Sequence, residues 1–157
     1  MSNTDLAAAF YEAFSRKDYK TMQSLYAENA VFTDPVFQKL SATEVKGMWE
    51  MLISRGKDMS VDYKVEGEQG NIVSVGWTAV YTFSATGRRV VNHINAQLTI
   101  EDGKIVAHTD YFPFRKWARQ ALGFQGILFG STSFLKNKVR TTARQNLDVF
   151  LAKKSGH

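Results

Sequence analysis

The chain has no cysteine among its 157 residues, which excludes a disulfide frame, a thiolate nucleophile and a zinc–thiolate centre. It has only two prolines, which argues against a disordered polypeptide. No apolar run approaches the roughly 18 residues needed to span a bilayer. Met1 to Ala9 lacks the basic start and long apolar stretch of a secretory signal, so a cytoplasmic location is expected. There is no glycine-rich phosphate loop and no Ser-His-Asp set by motif. His93, His108 and Asp110 show no recognised ligand spacing, so neither a metal nor a cofactor is expected.

Acidic residues are nearly missing from one region. From Pro113 onward nine Lys or Arg stand against Asp148 alone, a balance of +8. The first 112 residues then carry 11 basic (20 less 9) and 14 acidic (15 less 1) side chains, or −3. The net charge of +5 therefore belongs to the tail and is no argument for nucleic acid. No basic-aromatic interleaving marks a strand, and no nucleic-acid partner is expected.

What is present fits one ordered domain: 44% hydrophobic and 13% aromatic residues, in a chain long enough to bury a real core. Leu6, Phe10, Ala13 and Phe14 follow helical spacing. Ser15 to Asp18 is a loose capping-box pattern opening a second short helix striped by Met22, Leu25 and Tyr26. Asn29 to Thr33 reads as a short strand ending at Asp34. Ser41-Ala42-Thr43-Glu44 is a capping box, behind which Val45, Met48, Trp49, Leu52 and Ile53 form an apolar face closed by Gly56.

From Ser60 the period changes to two. Val61, Tyr63 and Val65 alternate with polar residues, and Gly67 to Gly70 turns the chain. Asn71 to Ser84 and Arg88 to Glu101 are long strands, and Asp102-Gly103 is a hairpin signal leading into Lys104 to Phe112. Three helices before an antiparallel meander make an α+β domain, with the helices on one face of a curved sheet.

Phe32-Thr33-Asp34-Pro35-Val36-Phe37 places one carboxylate among apolar residues, directly before a proline. Asp34 is either a turn former with its charge in water or a desolvated base with a raised pKa. His108, Asp110 and Phe112 share one face of a strand. Either that face lines the interior, or it is the solvent face while Ile105, Ala107 and Tyr111 point in. On the neighbouring strand, Ile94, Ala96, Leu98 and Ile100 are the natural core face. That alternation turns His93 and Asn95 toward solvent or a dimer partner.

The order of elements and these residues resemble the nuclear transport factor two-like superfamily, and within it the ketosteroid isomerases and SnoaL-like polyketide cyclases. The likeness spans about residues 4–112. It rests on Phe10 to Asp18, on Leu25 to Val36 with its Asp-Pro-Val, and on Asp102-Gly103-Lys104-Ile105-Val106-Ala107-His108-Thr109-Asp110. It implies a cone-shaped α+β barrel, with three N-terminal helices on a curved, mainly antiparallel sheet around a deep pocket. It also implies that Asp34 is a general base and Asp110 an acid/base group beside His108. The isomerases place a tyrosine and a protonated aspartate on the enolate oxygen. By ungapped spacing those positions are Phe10, next to Tyr11, and Asn95, so a genuine steroid isomerase is not expected. His93 joins Tyr11 and Asn95 as an expected polar group of the pocket. Phe10, Phe14, Tyr26, Trp49 and Phe112 are its expected lining, although core packing is an equally physical role for such rings.

The chain thus divides into a cone domain, residues 1–112, and a basic helical C-terminal extension, residues 113–157, expected to pack on the same domain. The extension could close the mouth of the cone, extend a dimer interface or lie on an anionic membrane surface. The expected ligand is a small apolar molecule, and pairing of two copies through the sheet face is expected. Two classes of function are open. One is a cofactor-free enzyme that moves a proton beside a carbonyl, by isomerisation, cyclisation or dehydration. The other is a non-catalytic module that binds an apolar ligand or a second copy.

Overall fold

A computed structural model describes residues 1–156; His157, the end of the extension, lies outside the described residues. The elements are α1 (Asn3–Ser15), α2 (Tyr19–Ser24), β1 (Tyr26–Thr33), β2 (Leu40–Ser41), α3 (Ala42–Arg55), β3 (Ser60–Gln69), β4 (Ile72–Phe83), β5 (Arg88–Glu101), β6 (Lys104–Tyr111), α4 (Phe114–Leu122), α5 (Phe124–Phe129) and α6 (Ser133–Ser155). The strands form one six-stranded sheet in the order β2-β1-β6-β5-β4-β3. The β1–β6 pair is parallel and the other pairs are antiparallel. The sheet is therefore mainly antiparallel, as the pattern implies.

Local chemistry sets the boundaries. Ser41 caps α3 through the amide of Glu44, and Glu44 answers to the Ser41 amide, completing the capping box. Ser15 ends α1 rather than opening α2, whose cap is Asp18, accepting from the Thr21 amide at 3.2 Å. Tyr26 already belongs to β1. Ser15 turns its hydroxyl back onto the Glu12 carbonyl at 2.7 Å, which leaves Asp18 as the acceptor at the start of α2.

The aromatic side chains gather in the space between the helices and the sheet. Phe10, Tyr11, Phe14, Tyr26, Phe32, Trp49 and Trp77 are all buried, and they meet mainly edge to face. Each such side chain contributes about 1.5–3 kcal/mol by burial, with edge-to-face pairing adding to it. The interior of the cone is thus ring-filled around one polar cluster.

The extension packs back on the body. Helix α4 lies against β5, and α6 lies against α3. Gln120 of α4 closes a gap in the ladder: its Oε1 accepts from the Val91 amide at 2.7 Å, and its Nε2 donates to the Val91 carbonyl at 3.0 Å. Strand β6 pairs with β5 only as far as Asn95, and beyond that point a side-chain amide takes the place of a strand.

Candidate functional site

The site depends on one irregularity in β6. Ile100 pairs with Ile105, but Thr99 pairs with Ala107, so Val106 is an extra residue on β6. A bulge of this kind reverses the alternation beyond it. Ile105 therefore faces the core, and so do His108, Asp110 and Phe112, all buried, while Tyr111 is 62% exposed. The face of His108, Asp110 and Phe112 is thus the inner one, and of the alternative set Ile105, Ala107 and Tyr111 only Ile105 is buried.

Inside the cone His108 and Asp110 form a hydrogen-bonded pair, Nε2 to Oδ1, at 2.9 Å. The Trp49 indole N–H, which can only donate, reaches the Tyr26 oxygen at 2.9 Å. Burial pushes the Tyr26 phenol well above its usual pKa, with the Trp49 hydrogen bond opposing and the Asp110 charge adding to the rise. Tyr26 therefore keeps its proton and donates it to His108 Nδ1, 2.8 Å away. The network thereby assigns the neutral imidazole proton to Nε2, aimed at Asp110. The Trp77 indole N–H adds a weaker bond to the same Asp110 oxygen at 3.4 Å. Tyr11 places its hydroxyl 3.5 Å from His108 Nε2. Burial first, then the Asp110 charge, holds that phenol protonated as well.

Asp34 stands where β1 ends. Its Oδ1 accepts from the amides of Val36 at 2.7 Å and Phe37 at 2.6 Å, and its own amide donates to the Phe37 carbonyl at 2.8 Å. Asp34 is thus a turn former, but not one with its charge in water, because burial pushes the carboxyl up to about 7. The Phe37 amide opposes that rise, the Asp110 charge adds to it, and the Val36 amide and the Arg140 charge oppose it. One oxygen makes the turn; among the described residues, the other accepts no hydrogen bond. Arg140 of α6 donates to the Pro35 carbonyl at 2.9 Å, so the extension reaches the Asp34 turn. Tyr81, whose phenol burial and then the Asp34 charge hold protonated against the Trp117 hydrogen bond, receives the Trp117 indole N–H at 2.8 Å.

The remaining expectations divide. Phe10, Phe14, Tyr26, Trp49 and Phe112 are all buried, and the rings of Phe10, Tyr26 and Trp49 pack against the imidazole of His108. Asn95 and His93 are exposed on the outer face of β5, where His93 meets the Thr78 hydroxyl at 2.9 Å. They stand apart from the cluster, because β5 alternates strictly and its neighbours Ile94 and Ala96 take the inner face. The buried amide of that strand is Asn92, which spacing counted back from Gly103 overlooks. Trp77, which the sequence offers as core or as lining, and Arg140 and Trp117, which read as tail, are further contributors. Two surface concavities, of about 420 and 390 Å³, lie elsewhere: along Phe134, Asn137, Lys138 and Thr141, and along Glu66 to Gln69 with Ile72, Ser74 and Gln97. Among the described residues no three His, Asp or Glu side chains are grouped to hold a metal ion.

The model of the SnoaL-like domain family matches residues 7–108. The chain belongs to this family. Several solved structures share the fold of this SnoaL-like domain. IdmH from Streptomyces antibioticus, provisionally described as a polyketide cyclase, is 23% identical, with a TM-score of 0.65 over 76% of this chain and 98% of its own. An NTF2-like protein of Burkholderia pseudomallei is 22% identical, with a TM-score of 0.67 over 76% and 98%. An LEH-like epoxide hydrolase of M. tuberculosis is 18% identical, with a TM-score of 0.61 over 85% and 94%. No curated protein matches the chain in sequence. The SnoaL-like match ends at His108, before helices α4 to α6.

Proposed function

We propose that this SnoaL-like domain is a cofactor-free enzyme that transfers a proton beside the carbonyl of a small apolar compound. The observation that carries this reading is the buried His108–Asp110 pair, 2.9 Å apart, in the ring-filled interior, with Asp34 at the end of β1 coupled to the Asp110 charge. In this reading Asp34 takes the proton, because a carboxylate titrating at about 7 is half-ionised where it must work. Protonated Asp34 then returns that proton to the product, while the Asp110 carboxylate holds His108 in place through its Nε2–H. Tyr11, a protonated phenol beside the pair, stabilises charge that develops on the carbonyl oxygen. Isomerisation, cyclisation and dehydration all begin with this step. The cyclase and epoxide hydrolase descriptions of the neighbours support a hydrolase- or cyclase-like use of the fold.

A second reading, a non-catalytic pocket for an apolar ligand, draws on the rings of Phe10, Tyr26, Phe32 and Trp49 packed against His108 and on concavities that lie away from Asp34. Exchange of α-protons in D2O separates the two. A panel of apolar cyclic ketones and β-diketones is incubated with the wild-type chain and with Asp34→Asn, and deuterium incorporation is followed by NMR. Exchange that falls at least a hundredfold in the variant supports the enzyme. Ligand-induced quenching of Trp49 and Trp77 fluorescence without any exchange supports the binding module.

A further inference from the structure

Helix α5 packs with its large side chains outward. Gly123, Gly126 and Gly130 are buried, whereas Phe124, Ile127, Leu128 and Phe129 are 73%, 57%, 53% and 49% exposed. The glycines permit a close approach of backbones. A Cβ on Gly126 would stand 2.0 Å from the Ala118 carbonyl oxygen of α4, and one on Gly130 would stand 2.3 Å from the Gly126 carbonyl oxygen. With the glycine face against α4, the apolar side chains are left to solvent. Phe134, in the first turn of α6, is 75% exposed and adds a third phenyl ring to this run. A monomeric soluble protein rarely concentrates exposed apolar surface in this way unless the surface docks on something.

The charges beside it are of one sign. Arg115, Lys116 and Arg119 of α4 and Lys138 of α6 are exposed, and Lys138 lines the groove of Phe134. No acidic residue occurs from Tyr111 to Leu147. We propose that α5 and the start of α6 dock on the surface of an anionic lipid bilayer, with Phe124, Ile127, Leu128, Phe129 and Phe134 entering the interface and the basic side chains facing lipid phosphates. Peripheral attachment of this kind needs both an apolar and an electrostatic contribution, and both occur here in one short region. No described helix is long and apolar enough to cross a membrane, so the association is superficial. Pairing of two copies through the same patch would bring like basic rims together, which favours lipid over a second copy.

Co-sedimentation of the full chain with vesicles tests this. Vesicles of phosphatidylcholine mixed with anionic phosphatidylglycerol are compared with pure phosphatidylcholine at low and high salt. Binding to the anionic vesicles is expected, at least tenfold weaker on neutral vesicles and weakened by salt. The variant Phe124→Ser/Leu128→Ser/Phe134→Ser, its fold checked by circular dichroism, is expected to lose at least tenfold in binding. The pair Arg115→Glu/Lys138→Glu, which leaves every apolar side chain in place, gives the same loss. Absence of wild-type binding to anionic vesicles overturns the proposal, as does undiminished binding by both variants. Dimerisation without lipid binding, seen by analytical ultracentrifugation and abolished by the serine variant, overturns it in favour of a second copy.

Discussion

The Tyr26 hydroxyl lies 2.8 Å from Nδ1 of His108 and turns the other imidazole nitrogen onto Asp110. A strand, β1, thus sets the tautomer of a histidine on the parallel strand beside it, and α3 sets the phenol through Trp49. Three elements must be in place before Asp110 has its partner.

Removing His108 is expected to cost less once Asp110 has been replaced. His108→Phe leaves the Asp110 carboxylate buried with only the long Trp77 bond, and destabilises the fold by about 3–5 kcal/mol. Asp110→Asn alone is milder, because an amide keeps an acceptor for His108 Nε2–H. The double variant should be less destabilised than the sum of the singles in urea unfolding. Additive losses would show that the two side chains act independently.

Asp34 makes stability depend on pH in a stated direction. An unfolded aspartate ionises near 3.8, whereas the native carboxyl ionises at about 7. Between these values the folded chain holds a proton that the unfolded chain has released, so this contribution is full below pH 4 and is lost as pH rises through 7. Asp34→Asn keeps an oxygen for the Val36 and Phe37 amides and removes the dependence. At pH 8 it is expected to be more stable than wild type, on the order of 2 kcal/mol for this part-exposed residue, and equal to it near pH 4. Thermal melts across this range decide, and parallel curves for the two proteins would contradict the assignment.

Catalysis carries the opposite sign. The base must be ionised, so α-proton exchange should rise with pH through about 7 and level off. A profile that falls over the same range would assign the proton-accepting role to another group.

Gly126→Ala is expected to destabilise the chain, although alanine is the better helix former by about 1 kcal/mol. The new methyl would meet the Ala118 carbonyl at 2.0 Å, and backbone cannot step aside as a flexible side chain can. Faster amide exchange in α5 and α4 would register the separation of the two helices. A stabilised variant would show that α5 is not held by this contact.

Gln120→Ala unlatches α4 from β5. Both the Val91 amide and carbonyl lose their partner, and the cost is about 1–2 kcal/mol. Hydrogen exchange should speed up at the Val91 amide while the β4–β5 ladder stays protected.

Most of the elements were legible in the chain. The capping box at Ser41 and Glu44, the hairpin at Asp102-Gly103 and the full extent of β5 follow from local chemistry, which acts over a few residues and leaves a readable signature. Asp34 was legible as a turn former at the end of β1, whereas its desolvation depends on what packs around it. The resemblance then singled out His108 and Asp110.

Other features belong to tertiary structure alone. The bulge at Val106 has no residue signature, yet it decides which face His108 and Asp110 occupy; a period of two read along the strand cannot register an inserted residue. Counting back from Gly103 chose Asn95 as a pocket group, but burial depends on strand phase, and the phase of β5 puts Asn92 inside. The apolar stretch from Phe124 to Phe134 reads equally well as core or surface. Only the backbone contact of Gly126 with Ala118 turns it outward, because which face of a helix is buried depends on how closely its neighbour can approach.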